Sequence, residues 1–277
     1  MTHFSKVSEF NTIFDVDVIP HDETPLNLNM IHNNKVAKLR YDLIYEEGIL
    51  ELKPAFDSNN RIEIADALAD LLYVCYGALY SYGFDGDLLL REYAPYTISP
   101  SENLNLLIQN LESHFNQNNY YEPTTSYTPN DCMNRLIEMI ENLKREFFTN
   151  KNIYSVKDIL LRIIANTYNF AYQLNISIDL VFDLVHRSNM SKICISEFEA
   201  RLTVKTYEAK YIQHTMLYDE YSNVYGKNSP LAVSVYCPYD SPYYIKKTDQ
   251  IYLIKNKSTG KALKSINYEA VNLVNYV

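Results

Sequence analysis

The sequence predicts an all-α helical bundle that is followed by a small β-hairpin extension at its C-terminal end. Through the first 195 residues, apolar side chains recur every three or four positions, which is typical of helices. One of these helices, at 62–82, is apolar on nearly all sides and should therefore be buried, and another long apolar helix follows at 156–174. Beyond residue 196, prolines and tyrosines become frequent and two short apolar runs flank a polar turn, a pattern that indicates a hairpin.

The first half of the chain is predicted to form a hairpin of two long helices. The first helix covers 36–53, and Pro54 with the polar residues after it is expected to end the helix. The second helix covers 62–82 and is the more apolar of the two. A short helix at 87–93 follows, and the residues at 95–101 are interpreted as a linker.

The second half repeats this order of elements. Its predicted helices lie at 133–148, 156–174 and 179–185. In this register Asp66 aligns with Asp158 and Tyr76 aligns with Tyr168. Identities are few, so a degenerate tandem duplication and an unrelated helical insertion both remain open. The first 195 residues are bundle-like in either case.

The C-terminal region is predicted to contain a helix at 198–212 and the hairpin. Its two strands are placed at 251–254 and 261–266, joined by a loop at 256–260. A hairpin of this size does not fold alone, so we expect it to dock on the bundle. The predicted domains are 1–94, 95–195 and 196–277.

Composition excludes several classes of protein. The net charge is -9, whereas a nucleic-acid partner requires a basic face, so neither DNA nor RNA is expected to bind. The four cysteines are far apart, which argues against a zinc site. The N-terminal residues MTHFSKVSEF lack an apolar signal core, and no run of eighteen apolar residues occurs. We therefore expect a cytoplasmic protein without a membrane partner.

Acidic residues on the first two helices are candidates for a metal site. Glu47 and Glu51 are four positions apart, as are Asp66 and Asp70, so each pair projects from one helical face. An unpaired carboxylate in so apolar a helix would cost several kcal/mol, and crowded carboxylates repel one another unless a cation joins them. Oxygen ligands alone suit Mg²⁺ or Mn²⁺. A buried salt bridge to Arg40 is the alternative.

A second candidate is the segment HRSNMSK, residues 186–192, which follows the predicted helix at 179–185. It carries two cations, two hydroxyls and an amide, which together can bind phosphate oxygens through charge-assisted hydrogen bonds. A basic helix end that complements the helix dipole is the alternative explanation.

Two stretches resemble one enzyme family. IEIADALADLLYVCYGALYSYGFD (62–85) and SIDLVFDLVHRSNMSKI (177–193) are similar to MazG-like and phosphoribosyl-ATP-pyrophosphohydrolase-like proteins, relatives of the dimeric dUTPases. LIYEEGILELK (43–53) resembles the family's Glu-x-x-Glu helix, and NKSTGKALKSINY (256–268) resembles tails of some viral and phage members. The resemblance implies a helical bundle that holds Mg²⁺ on a nucleoside triphosphate and releases a monophosphate and pyrophosphate.

The resemblance also implies roles for individual residues. The metal ligands would be Glu47, Glu51, Asp66 and Asp70, with Glu46 and Glu63 as further candidates. Glu47 and Glu51 would be the catalytic carboxylates, one of them acting as general base. Arg187, Asn189 and Lys192 would contact the substrate phosphates. A viral member would act in the host cytoplasm or the virion, and a homodimer remains open.

The sequence departs from the family pattern at its acids. The family's first acidic pair is three positions apart, but Leu50 follows Glu47 at that spacing, and Ala67 precedes Asp70 where many members have Glu. A degenerate homologue that binds nucleotide or a protein partner without hydrolysis is therefore the rival interpretation. If the chain is duplicated, Arg162 stands opposite Asp70, so acids of the first half and cations of the second would form one composite site.

Overall fold

The computed structural model describes residues 1–16, 18, 31–93, 128–227, 229, 237, 239–274 and 276. The chain divides into two compact units. The first unit comprises Met1–His186 and Val271–Val277, and the second comprises Arg187–Ala270. The predicted boundary between 94 and 95 lies at the edge of the described residues, and the predicted linker at 95–101 lies outside them, so the three-domain division stays a prediction.

The described part of the first unit is helical, as predicted. In chain order it contains α1 (His3–Ile13), α2 (Ile31–Tyr45), a first π turn (Glu46–Glu51), α3 (Leu52–Asp57), α4 (Arg61–Ser81), α5 (Gly86–Tyr93), α6 (Pro129–Arg145), a second π turn (Glu146–Asn150), α7 (Ile153–Gln173) and α8 (Ile178–Met190). The core is built around α4, the helix that the sequence predicts to be apolar on nearly all sides, and α7, the second long apolar helix. Fourteen residues of each are buried, which is why these helices position everything around them.

The two helical hairpins repeat each other's caps and turns at one constant spacing. Tyr76 in α4 and Tyr168 in α7 are 92 positions apart, and their hydroxyl oxygens lie 2.9 Å from each other. The same spacing separates the two helix caps, Asn60 and Asn152. It also separates two pairs of residues in the left-handed conformation: Asn59 with Lys151, and Gly83 with Asn175. One pair of corresponding residues, Tyr76 and Tyr168, therefore meets where α4 and α7 pack together.

The second unit begins within α8 and contains α9 (Glu197–Tyr225), β1 (Pro242–Thr248) and β2 (Ile251–Asn256). The strands form an antiparallel pair in which Tyr244 lies opposite Ile254. A small separate core joins the hairpin to the first turns of α9; its buried members are Cys194, Ala200, Tyr252, Ile254 and Leu263. The unit thus has apolar contacts of its own.

The predicted strand pairing is only partly right. The sequence predicts that 251–254 pairs with 261–266, whereas the ladder of β2 is formed with the earlier segment β1 across a two-residue turn. The segment at 261–266 contributes a bridge between Ala262 and Lys255 and is not a strand. After β2, the Asn256 amide donates to Asp240, Ser258 and Thr259. Two backbone bonds, from the N–H of Asn256 to the Lys261 carbonyl and from the N–H of Leu263 to the Ile254 carbonyl, then hold the segment at 261–266 beside the end of β2.

Three predicted helix ends also differ from the structure. Pro54 does not end the first helix but lies in the first turn of α3. The preceding π turn changes the hydrogen-bond register, and a proline is tolerated in a first turn because N–H groups there lack intrahelical acceptors. α8 continues to Met190 and α9 to Tyr225, beyond the predicted ends at 185 and 212. The helix α1 was not predicted at all.

Candidate active site

The first π turn determines how the candidate glutamates are spaced. A π turn closes i→i+5 hydrogen bonds, so it contains one residue more than an α-helical turn. Glu47 and Glu51, which are four apart, both lie in this turn and are therefore arranged much as residues three apart on an α-helix. The departure from the family's three-residue spacing is thus offset by the local helix geometry. π turns of this kind are frequent at functional sites.

A glycine allows close packing at the same turn. A Cβ atom added to Gly48 would lie 2.5 Å from Ile140 Cδ1 on α6 and 3.6 Å from Leu71 Cδ1 on α4. Because α6 and α4 both approach here, the backbone that carries the glutamates is held between two other helices. The side chain of Glu47 is therefore positioned by the packing of its glycine neighbour.

The aspartates come from α4, which packs against the π turn. The helix is capped at its start, where Asn60 Oδ1 accepts the N–H of Glu63. Asp66 and Asp70 are half-buried on a helix whose other positions are mostly buried apolar residues. Their spacing of four places both carboxylates on one helical face, as the sequence predicts.

The electrostatics of Glu47 show that the candidate acids lie close together. Burial first, and then the carboxylates of Asp70, Glu51, Glu46 and Asp66 in that order, together raise the pKa of Glu47 to about 9. Among the residues that the structure describes, Glu47 Oε2 is buried without a hydrogen-bond partner. We call these five residues the acidic cluster: Glu46, Glu47, Glu51, Asp66 and Asp70.

Two residues named in the sequence analysis do not belong to this cluster. Glu63 is exposed and is not among the carboxylates that raise the pKa of Glu47. Arg40 is buried and donates from Nε and Nη2 to Ser81 Oγ, at 2.9 and 2.6 Å. Ser81 lies about three helical turns beyond Asp70. The guanidinium is therefore held at the far end of α4 rather than between the aspartates.

The donor set of the acidic cluster fits a hard divalent cation. All of its side-chain donors are carboxylate oxygens, which Mg²⁺ and Mn²⁺ prefer, and the unpartnered Glu47 Oε2 is an oxygen that a cation could bind. In the described ranges, no three acidic, histidine or cysteine side chains are already grouped closely enough to hold a metal ion. Ligation would therefore require side-chain rotation, which exposed and half-buried carboxylates permit.

The predicted phosphate-binding residues lie at the end of α8 and in the turn after it. The sequence predicts that Arg187 and Asn189 follow the helix. Instead the helix continues through both residues, and they form its last turns. Lys192 Nζ donates to Asn189 Oδ1 at 2.5 Å. His186 instead lies 3.1 Å from the Tyr73 hydroxyl through Nδ1, which is a contact within the bundle. We call residues 187–192 the basic turn.

The C-terminal tail supports the basic turn, which the sequence alone does not predict. Ser265 Oγ donates to the backbone carbonyl of Ser191, and the N–H of Glu269 donates to Ser191 Oγ. Ser188 Oγ donates to the Tyr268 hydroxyl at 3.0 Å. The tail that resembles phage sequences thus folds onto HRSNMSK, and the only sequence signal was that both segments resemble the same family. The acidic cluster lies in the first unit and the basic turn in the second, so the composite site stays a prediction.

Comparisons with known proteins agree with these observations. The family model for phosphoribosyl-ATP pyrophosphohydrolase matches residues 7–94, which include the whole acidic cluster and end before the basic turn. Uncharacterized protein L479 of Acanthamoeba polyphaga mimivirus is 31% identical over 286 residues, which cover 98% of this chain and 94% of that protein. No solved structure matches. In the part of the chain that the structure describes, no helix has both the length and the apolar character needed to cross a membrane.

Three observations lead to one assignment. The protein is a helical bundle with acids on two neighbouring helices, the family model matches across those acids, and a viral relative matches along nearly the whole chain. The match supports a hydrolase of the pyrophosphatase kind. This chain belongs to the phosphoribosyl-ATP-pyrophosphohydrolase-like family, within the MazG-like all-α pyrophosphohydrolases.

Proposed function

We propose that this protein is a Mg²⁺-dependent nucleoside triphosphate pyrophosphohydrolase, which converts its substrate to a monophosphate and pyrophosphate. The environment of Glu47 carries the proposal. Its carboxyl group is largely enclosed, and four neighbouring carboxylates raise its pKa. Such crowding is unfavourable unless a cation joins the oxygens, and a triphosphate is a substrate that brings Mg²⁺ with it.

Glu47, Glu51, Asp66 and Asp70 would hold the Mg²⁺, or Mn²⁺ in its place, with Glu46 beside them. Bound there, the ion would supply charge neutralisation at the phosphate oxygens and a lowered pKa for a water molecule. Glu51 is exposed, so its carboxylate can accept a proton from the attacking water as general base. Glu47 is more enclosed and is better suited to ligation.

The basic turn is proposed to bind the substrate's phosphate oxygens. Arg187 offers a planar set of donors, Lys192 an ammonium group and Asn189 an amide. These groups would hold phosphates in the ground state, whereas the metal ion held by the acidic cluster would also stabilise negative charge that develops during attack. Replacement of Arg187 or Lys192 by Ala should therefore raise KM more than it lowers kcat.

One acidic cluster per chain is a further part of the proposal. The constant spacing of 92 residues and the direct contact of Tyr76 with Tyr168 support a degenerate tandem duplication. At that spacing, Met139 corresponds to Glu47 and Arg162 to Asp70, so the second half lacks these two acids, although it keeps Asp158 opposite Asp66. A Mn²⁺ titration by calorimetry should therefore find one cluster per chain, and two equivalent sets of sites would contradict the duplication with loss.

Turnover with matched acid variants tests the proposed activity. The wild-type protein is incubated with a panel of nucleoside and deoxynucleoside triphosphates and either Mg²⁺ or Mn²⁺, and release of monophosphate and pyrophosphate is measured. Asp70→Asn should remove most of the activity and leave the circular dichroism spectrum unchanged. Glu63→Gln, on the same helix but outside the acidic cluster, is the control and should retain activity.

The rival function is nucleotide binding without hydrolysis. Two observations favour it. Among the described residues, the acidic side chains are not close enough together to hold a metal ion, and Ala67 stands at a position where many family members have Glu. Wild-type protein that binds a nucleoside triphosphate but releases no pyrophosphate with either metal would support this rival and refute the hydrolase.

A further inference from the structure

The C-terminal tail braces the basic turn through a set of directed hydrogen bonds. Ser188 and Ser265 are both nearly fully buried, with 6% of each exposed. Ser188 bonds to the Tyr268 hydroxyl, and Ser265 bonds to the carbonyl of Ser191 at 2.8 Å. The N–H of Glu269 completes the contact by donating to Ser191 Oγ at 2.9 Å. The tail and the basic turn therefore form one local structure within the second unit.

Lys264 is placed beside the basic turn by this bracing. Its backbone N–H donates to the Tyr207 hydroxyl on α9 at 3.2 Å. Its ammonium group lies 4.2 Å from the centre of the Tyr268 ring, a cation–π geometry. The same tyrosine bonds to Ser188, which stands between Arg187 and Asn189. One aromatic side chain thus connects the Lys264 ammonium to the basic turn.

The local charge balance favours an anion at this place. Arg187, Lys192 and Lys264 contribute three cations, and Glu269 is the acidic residue that the bracing brings to the same structure. Lys264 is exposed, so its ammonium group can leave the ring face and meet a ligand. A cation–π contact at an exposed site is weak, and a charge-assisted bond to phosphate is stronger.

We propose that Lys264 is a third phosphate-binding cation, and that Tyr268 and Ser265 are positioning residues that hold it and the basic turn together. This inference rests on the proposed function, since the ligand would be the polyphosphate chain of the substrate. Ammonium and guanidinium groups recognise phosphate oxygens and carry no information about the base. The tail therefore adds affinity for polyphosphate without adding base selectivity.

Calorimetric binding of inorganic tripolyphosphate to the full chain, with Mg²⁺ present, tests this role. Lys264→Ala should weaken binding about tenfold, which corresponds to about 1.4 kcal/mol, and Lys264→Arg should restore most of it. Lys257→Ala is the matched control, because Lys257 is exposed in the same tail and should leave the affinity unchanged. Tyr268→Phe, which removes the bond to Ser188, should weaken binding less than Lys264→Ala does.

The outcomes separate this inference from the proposed activity. If the wild type binds tripolyphosphate in a Lys264-dependent way but hydrolyses no nucleotide, the hydrolase proposal fails and the anion site stands. If nucleotides are hydrolysed but Lys264→Ala binds tripolyphosphate as tightly as the wild type, the inference is overturned. Equal losses in Lys264→Ala and Lys257→Ala, or no binding by the wild type, would also overturn it.

Discussion

Removing the hydroxyl of Tyr168 is expected to cost more stability than removing the hydroxyl of Tyr76. The two phenols form a buried chain in which the Tyr168 hydroxyl lies 2.9 Å from that of Tyr76 and 2.6 Å from His3 Nδ1. His3 Nε2 lies 3.3 Å from Asp179 Oδ1. We infer that the ring proton is on Nε2, so that Nδ1 accepts the hydrogen of Tyr168 and Tyr168 accepts that of Tyr76.

The magnitudes follow from the number of groups left unpartnered. Tyr168→Phe strands both the Tyr76 hydroxyl and His3 Nδ1, and each stranded buried group costs about 1–3 kcal/mol, so the total is about 2–6 kcal/mol. Tyr76→Phe leaves the bond between Tyr168 and His3 intact and should cost about 0.5–1.5 kcal/mol. Tyr168→Phe should therefore lower Tm by several degrees more than Tyr76→Phe does, at about 2–4 °C per kcal/mol.

Urea unfolding followed by far-ultraviolet circular dichroism measures both free energies. Tyr80→Phe is the control, because the Tyr80 hydroxyl meets Thr12 at an exposed position and its loss should change stability by no more than about 0.5 kcal/mol. Equal costs for Tyr76→Phe and Tyr168→Phe would refute the central position of Tyr168. A Tyr168→Phe variant as stable as the wild type would refute the hydrogen-bonded chain itself.

Three further outcomes are expected. Burial lowers the pKa of His3 to about 4, below its unfolded value of about 6.5. The neutral His3 therefore contributes its full stability above about pH 6.5, and this contribution is lost as the pH falls towards 4. Across this window, the urea midpoint of His3→Gln should depend less on pH than that of the wild type. Gly48→Ala places a Cβ 2.5 Å from Ile140 Cδ1, so it should destabilise the fold by about 1–3 kcal/mol and reduce turnover. Adding Ile140→Val removes the Cδ1 atom and should restore part of the stability and part of the turnover; no restoration would contradict the contact. Ser81→Ala removes an acceptor of the buried Arg40 guanidinium and should cost about 1.5–3 kcal/mol in urea unfolding, whereas Ser81→Thr, which keeps the hydroxyl, should cost clearly less.

Local signals in the sequence were sufficient to predict the helical bundle. The second helix was predicted at 62–82 and is observed at Arg61–Ser81, because an asparagine cap begins it and Gly83, in the left-handed conformation, follows its end. Caps and glycine stops act within a few residues and can be recognised without knowing the fold. The acidic cluster was equally accessible, since carboxylates on an apolar helix contradict the surrounding pattern.

The sequence by itself determined the fold class, the family and the acids of the candidate site. Tertiary structure alone decided three other features: the π turn at Glu46–Glu51, the pairing of β2 with β1, and the tail that braces the basic turn. The π turn and the tail depend on contacts between residues far apart in the chain, because the π turn is packed where Gly48 meets Ile140 and the tail bonds to Ser191. β2 pairs with β1 across a two-residue turn, and the distant contact here is the core that Tyr252 and Ile254 share with Ala200 of α9. Local propensity carries no information about these features, because the competing local arrangements differ little in free energy until those distant contacts form.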